Sequence, residues 1–363
     1  MRIERIRIQD LRVLQQVELS LEPGINVLFG PNGSGKTSFL EAVHLLGYGR
    51  SFRSGGRDVL VRRGADAAVV FAELCRDDGG LHRLGIERSG STWRGRVDDS
   101  EVGQLSDLYR VCAVSCFEPG SHELMSGGAE LRRSMFDWGV FHVEPAFLSV
   151  WRRYQRALRQ RNALLRDRGP DALFDAWEHE MAEAGAAIDL MRTRHAEVLS
   201  QAVVEVVAEV LPEFSGATFQ LMHGWRTVPP LGAEAARDRL AEERGRDRER
   251  GFSRRGPHRA DWSLGFAEIA RREYLSRGQE KLCALAMILA QLLTLRRHTG
   301  EWPVLLLDDL ASELDEAHQA RVLNWLTQAP LQVLVTGVAV PPPLRACARR
   351  VFHVEQGRIT VHH

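Results

Sequence analysis

The chain has 363 residues, 44% of them apolar and 26% charged, and its 48 basic and 48 acidic side chains give a formal net charge of zero. That length exceeds one small core and implies about two or three domains, with the composition of an ordinary soluble globular protein. Zero net charge excludes a global basic field of the kind that draws nucleic acid, so any such surface is local or made by assembly. Cys75, Cys112, Cys116, Cys283 and Cys347 are odd in number and lack the paired spacing of a metal site, which points to a reducing cytoplasmic compartment. Met1-Arg2-Ile3-Glu4-Arg5 carries no apolar signal region, and no uncharged apolar run is long enough for a membrane span. A cytoplasmic protein without membrane contact is expected.

In chain order, short apolar runs (Ile3, Ile6, Ile8; Val17, Leu19, Leu21; Ile25, Val27, Phe29) punctuated by Gly24 predict a small sheet. Its last run feeds Gly30-Pro31-Asn32-Gly33-Ser34-Gly35-Lys36-Thr37-Ser38, a G-x-x-x-x-G-K-T phosphate-binding loop. Apolar residues at Phe39, Leu40, Val43 and Leu46 then predict a helix. Strand, glycine loop and helix together aim backbone N–H groups and a helix N-terminus at a polyphosphate, and glycines 30, 33 and 35 permit the tight turns. Lysine occurs only at positions 36 and 281 in a chain that otherwise uses arginine. Lys36 is retained because a compact ammonium between β- and γ-phosphates cannot be copied by a planar guanidinium.

A glycine- and arginine-rich segment, Gly47 to Gly56, comes next, followed by strand-like runs at 69–75, 81–87 and 111–117. From Glu144 to Arg168 the pattern is helical, with Phe147, Trp151, Tyr154, Leu158 and Leu165 on one side. Arginines 152, 153, 156, 159, 161, 166 and 168 crowd the remainder against a single acid, Asp167, and Gly169-Pro170 ends the helix. A second helical run carries apolar or small residues at 174, 177, 181, 184, 188, 191, 195, 198 and 202, the alternating spacing of a coiled-coil seam. Over 172–210 it would reach roughly 60 Å at about 1.5 Å per residue. The pair predicts an antiparallel hairpin at about 144–210 projecting from the body; packing within a globular lobe fits the spacing equally, and Gly185 and His195 weaken the seam. Residues 234–259 mix arginines and acids as in a solvated helix face or mobile loop. They end at Gly256-Pro257-His258-Arg259-Ala260-Asp261, before a strand-like run at 262–266. An apolar helix from about Gly278 to Arg297 is closed by Arg296, Arg297, His298 and Gly300. Val304–Leu307 reads as a buried parallel strand; a helix at 315–328, a strand at 331–336 and a hairpin around Gln356-Gly357 complete the chain.

Four apolar residues place Asp308 at the C-terminal edge of a central strand, where a phosphate-loop ATPase holds the water shell of Mg²⁺ while Thr37 ligates the ion. Asp309, one step on, is placed to act on the attacking water as general base or orienter. Leu275-Ser276-Arg277-Gly278-Gln279-Glu280-Lys281 resembles the LSGGQ signature of ABC-type ATPases, with Arg277 in place of the first glycine. A serine and glycine at a helix N-terminus offer a hydroxyl and N–H groups to a γ-phosphate, and Ser276-x-x-Gln279 equally fits a capping box. Ser312-Glu313-Leu314-Asp315 resembles the D-loop that lines a two-subunit nucleotide site.

Transporter ATPases hold loop and signature much closer together than Lys36 and Ser276. The loop Gly30–Ser38, the run Gly47–Ser54, and Ser126-Gly127-Gly128 through Arg132-Arg133-Ser134 belong to a longer pattern. With Phe136-Asp137-Trp138-Gly139-Val140-Phe141-His142, Gly256–Asp261, Ser276–Lys281 and Asp308–Asp315 they resemble, nearly end to end, the RecF family of bacterial recombinational-repair ATPases. The resemblance implies an α/β fold: an ABC/SMC-type head with a mixed sheet and nucleotide loop, plus a mostly helical second lobe with a short antiparallel helical arm and no zinc hook. Residues 1–118 with 300–363 are expected to form the ATPase core, and 119–299 the helical lobe with arm and signature. The resemblance further implies an ATP-driven head-to-tail homodimer. Ser276, Arg277, Gly278 and Gln279 of one subunit would close over phosphates held by Lys36 of the other, with Ser312 and Asp315 in the D-loop. DNA, single-stranded or at a single/double-strand junction, and RecR and RecO mediator proteins are the implied partners, in gap repair and SOS induction. Arg12 sits where related heads place an arginine near the nucleotide. Thr336 stands where transporters have a switch histidine, Asp309 replaces their glutamate, and no Q-loop glutamine occurs near 117–120. These departures imply slow hydrolysis, a timer of DNA residence. Arginine clusters at 132–133, 152–168 and 244–259 are the candidates for DNA phosphate contacts, Arg132, Arg133, Arg152 and Arg156 first among them. The competing readings are a transporter ATPase subunit and a DNA-bridging protein that keeps ATP as a fixed cofactor.

Overall fold

The computed structural model describes residues 1–53, 60–167, 169–227, 231–267 and 275–362. Its internal contacts divide the chain into a first unit, Met1–His122 with Val206–Pro212 and Ser276–His363, and a second, Glu123–Glu205 with Glu213–Leu275. The first unit opens with strands β1 (Arg2–Leu11), β2 (Leu14–Ser20) and β3 (Ile25–Phe29) and helix α1 (Lys36–Tyr48). Strands β4 (Ala68–Cys75), β5 (Leu81–Ser89), β6 (Thr92–Val97) and β7 (Ser100–Glu101), helix α2 (Leu105–Val111) and strand β8 (Val114–Phe117) follow. The next stretch holds helices α3 (Glu123–Ser126), α4 (Ala129–Val143), α5 (Phe147–Arg166) and α6 (Ala172–Val210), strand β9 (Thr218–Met222), helix α7 (Ala233–Arg250) and strand β10 (Asp261–Gly265). The chain then returns through α8 (Arg277–Thr299), β11 (Val304–Leu307), α9 (Leu310–Glu313), α10 (Glu316–Gln328), β12 (Val333–Gly337), α11 (Pro342–Cys347), β13 (Ala348–Glu355) and β14 (Arg358–His362).

Two sheets build the first unit. One is antiparallel, in the order β2-β1-β4-β5-β6-β7. Period-two alternation drives it: Ile6, Ile8, Val70, Ala72, Leu84 and Ile86 are buried, while Arg7, Arg83 and Arg96 point the other way. In the other, β8, β11, β12, β3 and β13 run parallel and β14 closes the edge antiparallel, in the order β14-β13-β3-β12-β11-β8. Parallel strands buried on both faces need unbroken apolar runs, and Val304–Leu307 and Val333–Val335 are buried throughout. This parallel order brings the C-terminal ends of β3, β11 and β12 to one edge. There the Gly30 N–H meets the Gly337 carbonyl at 3.3 Å and the Asp308 N–H meets that of Phe117 at 2.8 Å.

Helix α8 was expected to lie with the helical lobe, yet residues 276–299 group with the first unit. The reason is composition: Leu282–Leu292 is buried without a break and is apolar but for Gln291, and α8 packs on β8 and on the 3₁₀ turn Pro119–His122. By length and composition α8 is apolar enough to cross a membrane, but 72% of its apolar 18-residue window is buried inside the protein, which makes it a core helix.

In the second unit, β9 and β10 form an antiparallel pair, and α5 packs on α4 and α7. The 39-residue α6 is buried at Phe174, Glu178, Met181, Ala182, Ile188, Asp189, Arg192, His195, Leu199 and Ala202. That is an i, i+3, i+4, i+7 face, wider than a two-position seam. The expected seam positions all fall on it, with Trp177, Met191 and Val198 half-buried.

Candidate nucleotide site

The phosphate loop is shaped by positions that admit only glycine. A Cβ on Gly30 would meet the Val354 carbonyl oxygen at 2.1 Å, and one on Gly35, at φ 117°, would meet the Leu14 side chain at 2.9 Å. Helix α1 starts at Lys36, whose ammonium turns back to donate to the carbonyls of Gly30 (2.8 Å) and Pro31 (2.9 Å). Burial lowers the lysine pKa, and the carboxylates of Asp309 and Asp308 oppose that shift.

Two hydroxyls converge on the acid at the end of β11. Thr37 Oγ1 donates to Asp308 Oδ1 at 3.1 Å, and Thr336 Oγ1 donates to the same oxygen at 2.6 Å. The Thr336 hydroxyl in turn accepts the Asp309 N–H at 2.9 Å. Burial raises the Asp308 pKa, against the pull of both hydrogen bonds. Asp309 takes a left-handed backbone, φ 54° and ψ 41°, at the N-cap of α9. A non-glycine residue there costs about 1 kcal/mol or more and persists because its surroundings hold it; Thr336 is one such holder. Asp309 Oδ1 is buried with no hydrogen-bond partner among the described residues, which leaves an acceptor for a group that enters the site.

These groups surround a cavity of about 450 Å³. From the loop, Asn32, Gly33, Gly35, Lys36, Thr37 and Ser38 line it, whereas Gly30, Pro31 and Ser34 stand behind it. Asp308, Asp309 and Thr336 form another wall, and Arg12, Arg53 and Arg63 supply further cations. Arg12 occupies the turn between β1 and β2 at φ 56°. Its guanidinium forks onto the fully buried carboxylate of Glu41 at 2.9 and 2.8 Å, the bidentate geometry that fixes an arginine most firmly. Arg53, Arg63, Glu41 and the clamping role of Thr336 were not legible as site features. Arg53 lies inside the run Gly47–Ser54, which contributes to the family resemblance but does not by itself place any of its arginines at the nucleotide; Ser54 to Gly56, like Arg168, lie outside the described residues.

The signature and D-loop residues do not line this cavity. Ser276 caps α8: its Oγ accepts the Gln279 N–H at 3.3 Å, while the Gln279 side chain accepts the Ser276 N–H at 2.8 Å. The capping box is therefore real, and Ser276, Arg277 and Gly278 are exposed at that helix end. Asp315 caps α10 by accepting the His318 N–H at 2.9 Å, and Ser312 is exposed. Both segments present polar groups to solvent rather than to Lys36 of the same chain.

The RecF/RecN/SMC N terminal domain family model matches residues 2–359. Over 365 residues the chain is 49% identical to "DNA replication and repair protein RecF" of Stenotrophomonas maltophilia (strain R551-3), covering 99% of both chains. The chain belongs to the RecF family. A second RecF relative, from Xanthomonas euvesicatoria pv. vesicatoria, is 46% identical, covering 99% of this chain and 98% of its own. Among solved structures, "recombination mediator protein RecF-ATP in RecFOR pathway" superposes with a TM-score of 0.88 at 24% identity, covering 99% of this chain and 97% of that one. An SmcHead bound to the C-winged helix domain of ScpA superposes with a TM-score of 0.60 at 16% identity, covering 100% of this chain and 97% of that one. The fold is thus the ABC/SMC-type head of RecF.

The RecF segments Phe136–His142 and Gly256–Asp261 hold the second unit together. Arg192 forks onto Asp137 at 2.8 Å through both nitrogens and donates to the Pro257 carbonyl at 2.8 Å. His258 Nε2 faces the Ser253 carbonyl at 3.1 Å, so it carries the proton and Nδ1 accepts from the Tyr154 hydroxyl at 2.6 Å. Of the arginines expected to touch DNA, Arg132 is turned inward and Arg133 is half-buried. Arg132, 2% exposed, forks onto Asp261 at 2.7 and 2.9 Å, and Arg133 donates to the Ala260 carbonyl at 2.8 Å. Arg161 is fully buried on Glu178, Asp247, Ser253 and the Leu240 carbonyl. Arg244 pairs with Glu178 and Asp175, and Arg248 with Asp171. On α5, Arg152, Arg156, Arg159 and Arg166 remain exposed along one side of a helix that has no acid.

Proposed function

We propose that this chain is an ATP-dependent DNA-binding protein of replication and recombinational repair, in which ATP drives a homodimer that clamps DNA and slow hydrolysis releases it. The observation that carries this reading is the 3.1 Å hydrogen bond between Thr37 and Asp308, which joins the phosphate loop to the acidic strand around one cavity. The names of the relatives support it: DNA replication and repair for the sequence relatives, ATP and the RecFOR pathway for the structural one.

In this reading Lys36, with Arg53 and Arg63, neutralises the triphosphate, and the N–H groups of Gly33, Gly35 and Thr37 cradle it. Thr37 and Asp308 fit Mg²⁺, since a hydroxyl and a carboxylate 3.1 Å apart are hard oxygen donors whose set phosphate oxygens and water complete. Bound there, the ion would supply charge neutralisation for the triphosphate. Asp309, with its unpartnered Oδ1, orients the attacking water; its short side chain and a threonine at 336 instead of a histidine favour slow turnover. Ser276, Arg277, Gly278 and Gln279 complete the site of the partner subunit, with Ser312 and Asp315 alongside. This accords with their exposure away from the cavity of their own chain. The phosphate contacts to DNA come from Arg152, Arg156, Arg159 and Arg166 on α5. RecR- and RecO-type mediators are the protein partners, gap repair and SOS induction the setting, and the cytoplasm the compartment.

Binding to a gapped duplex with and without ATP, at two salt concentrations, tests this. ATP should tighten binding, and R156A/R159A should flatten the salt dependence by about 0.7–0.9 per lost phosphate contact. Affinity unchanged by ATP would overturn the ATP gate, and an unchanged salt slope would overturn the α5 surface.

A further inference from the structure

The second of the chain's two lysines has a function that the nucleotide loop does not account for. Lys281 lies in the second turn of α8, just beyond Ser276, Arg277, Gly278 and Gln279. A cation so near a helix N-terminus opposes the macrodipole and needs a compensating partner. That partner is Glu313, the last residue of α9, which forms an ion pair with the Lys281 ammonium. The pair is largely shielded, with 27% of the lysine side chain and 10% of the glutamate exposed. At the other end of α9 stands Asp309, one turn away, whose carbonyl accepts the Ser312 N–H at 2.9 Å. Gln319 of α10 pins the same segment by donating to the carbonyls of Ala311 (3.2 Å) and Leu314 (2.7 Å). A continuous path of helix turns and one ion pair therefore runs from Ser276 through Lys281 and Glu313 to Asp309.

Resting on the two-subunit reading above, we infer that the Lys281–Glu313 pair couples the two ATP sites of the dimer. Ser276 touches the γ-phosphate held by the partner subunit, while Asp309 serves the site of its own chain. A shift of the α8 N-terminus on engaging that phosphate is passed through the ion pair to α9, and so to the placement of the Asp309 carboxylate. Lys281 and Glu313 are positioning residues: neither lines the cavity, and each acts through the backbone that carries another group.

The test compares wild type with K281Q, E313Q and the charge-reversed pair K281E/E313K. ATP-dependent sedimentation and steady-state ATP turnover are measured across ATP concentrations. Wild type should dimerise with ATP and hydrolyse it. Both single variants should bind ATP and dimerise normally, yet their kcat at saturating ATP should drop several-fold, because dimer formation no longer places Asp309; the reversed pair should recover most of the loss. Single variants that dimerise and keep the wild-type kcat would overturn the coupling while leaving the composite site intact. A wild type that stays monomeric with saturating ATP would instead overturn the two-subunit reading itself. If the single variants fold poorly, the reversed pair decides: a folded, dimerising pair with a low kcat contradicts the coupling.

Discussion

The two units use the same charged residue types in opposite ways. In the first, Lys36, Arg53, Arg63, Asp308 and Asp309 surround an open cavity, and Asp309 keeps an acceptor oxygen without a partner among the described residues. In the second, Arg132, Arg161 and Arg192 are buried and matched by carboxylates of Asp261, Glu178, Asp247 and Asp137. Charges left incompletely matched beside a cavity are available for chemistry, and charges matched in the interior are architecture. Arginine density alone therefore says little about nucleic-acid contact.

The largest effect should come from breaking an architectural charge. R161A strands the carboxylate of Asp247 in the interior and takes one of its two arginines from Glu178, so denaturant unfolding should show a loss of about 3–5 kcal/mol. ATP affinity, measured where the fold persists, should hardly change. K36A is the mirror case. It should weaken ATP binding by calorimetry about 10- to 100-fold, the worth of a strong charge-assisted contact of roughly 1.5–3 kcal/mol, with unfolding stability nearly intact. If K36A instead destabilised the fold as much as R161A, the contrast between the units would collapse.

T336V should fall between the two. It removes the hydroxyl that donates to Asp308 and accepts from Asp309, a cost of about 1–3 kcal/mol for buried groups left unpaired. Turnover should drop more than ATP affinity, whereas T336S should restore it. The smallest effect is on pH dependence. Burial pushes the His258 imidazole down from 6.5 to about 4, and the same holds for His44 in the first unit. Between those values the unfolded chain binds a proton that the folded chain refuses, so stability is full above about pH 6.5 and declines as the pH falls toward 4. H258Q, which keeps a donor for Ser253 and an acceptor for Tyr154, should make that decline shallower in chemical denaturation.

Much of the first unit was legible because its signals are local. The glycine loop, the apolar run into Asp308-Asp309 and the capped, apolar α8 each carry their pattern within about twenty residues. What stayed hidden depends on distant partners. Nothing near Arg132 or Arg161 announces Asp261 or Asp247 as its mate. Nothing near Thr336 shows that its hydroxyl bridges two acids from another strand. Residues 92–97, Thr-Trp-Arg-Gly-Arg-Val, alternate but put a glycine at the one buried position, too weak an apolar signal to reveal β6 next to the sheet edge. The wide buried face of α6 includes Glu178, Asp189 and Arg192, which a count of apolar spacings passes over. The resemblance built on Phe136–His142 and Gly256–Asp261 located the family correctly, though those residues serve the scaffold.

The central claim is that Lys36 and Asp308 form half of a nucleotide site that a second copy completes through Ser276. Sedimentation of wild type and S276R, with and without ATP, tests it most directly. The account predicts an ATP-dependent wild-type dimer, and a variant that binds ATP with wild-type affinity yet remains a monomer because the arginine obstructs the shared site. An S276R protein that forms the same ATP-bound dimer as wild type would contradict it.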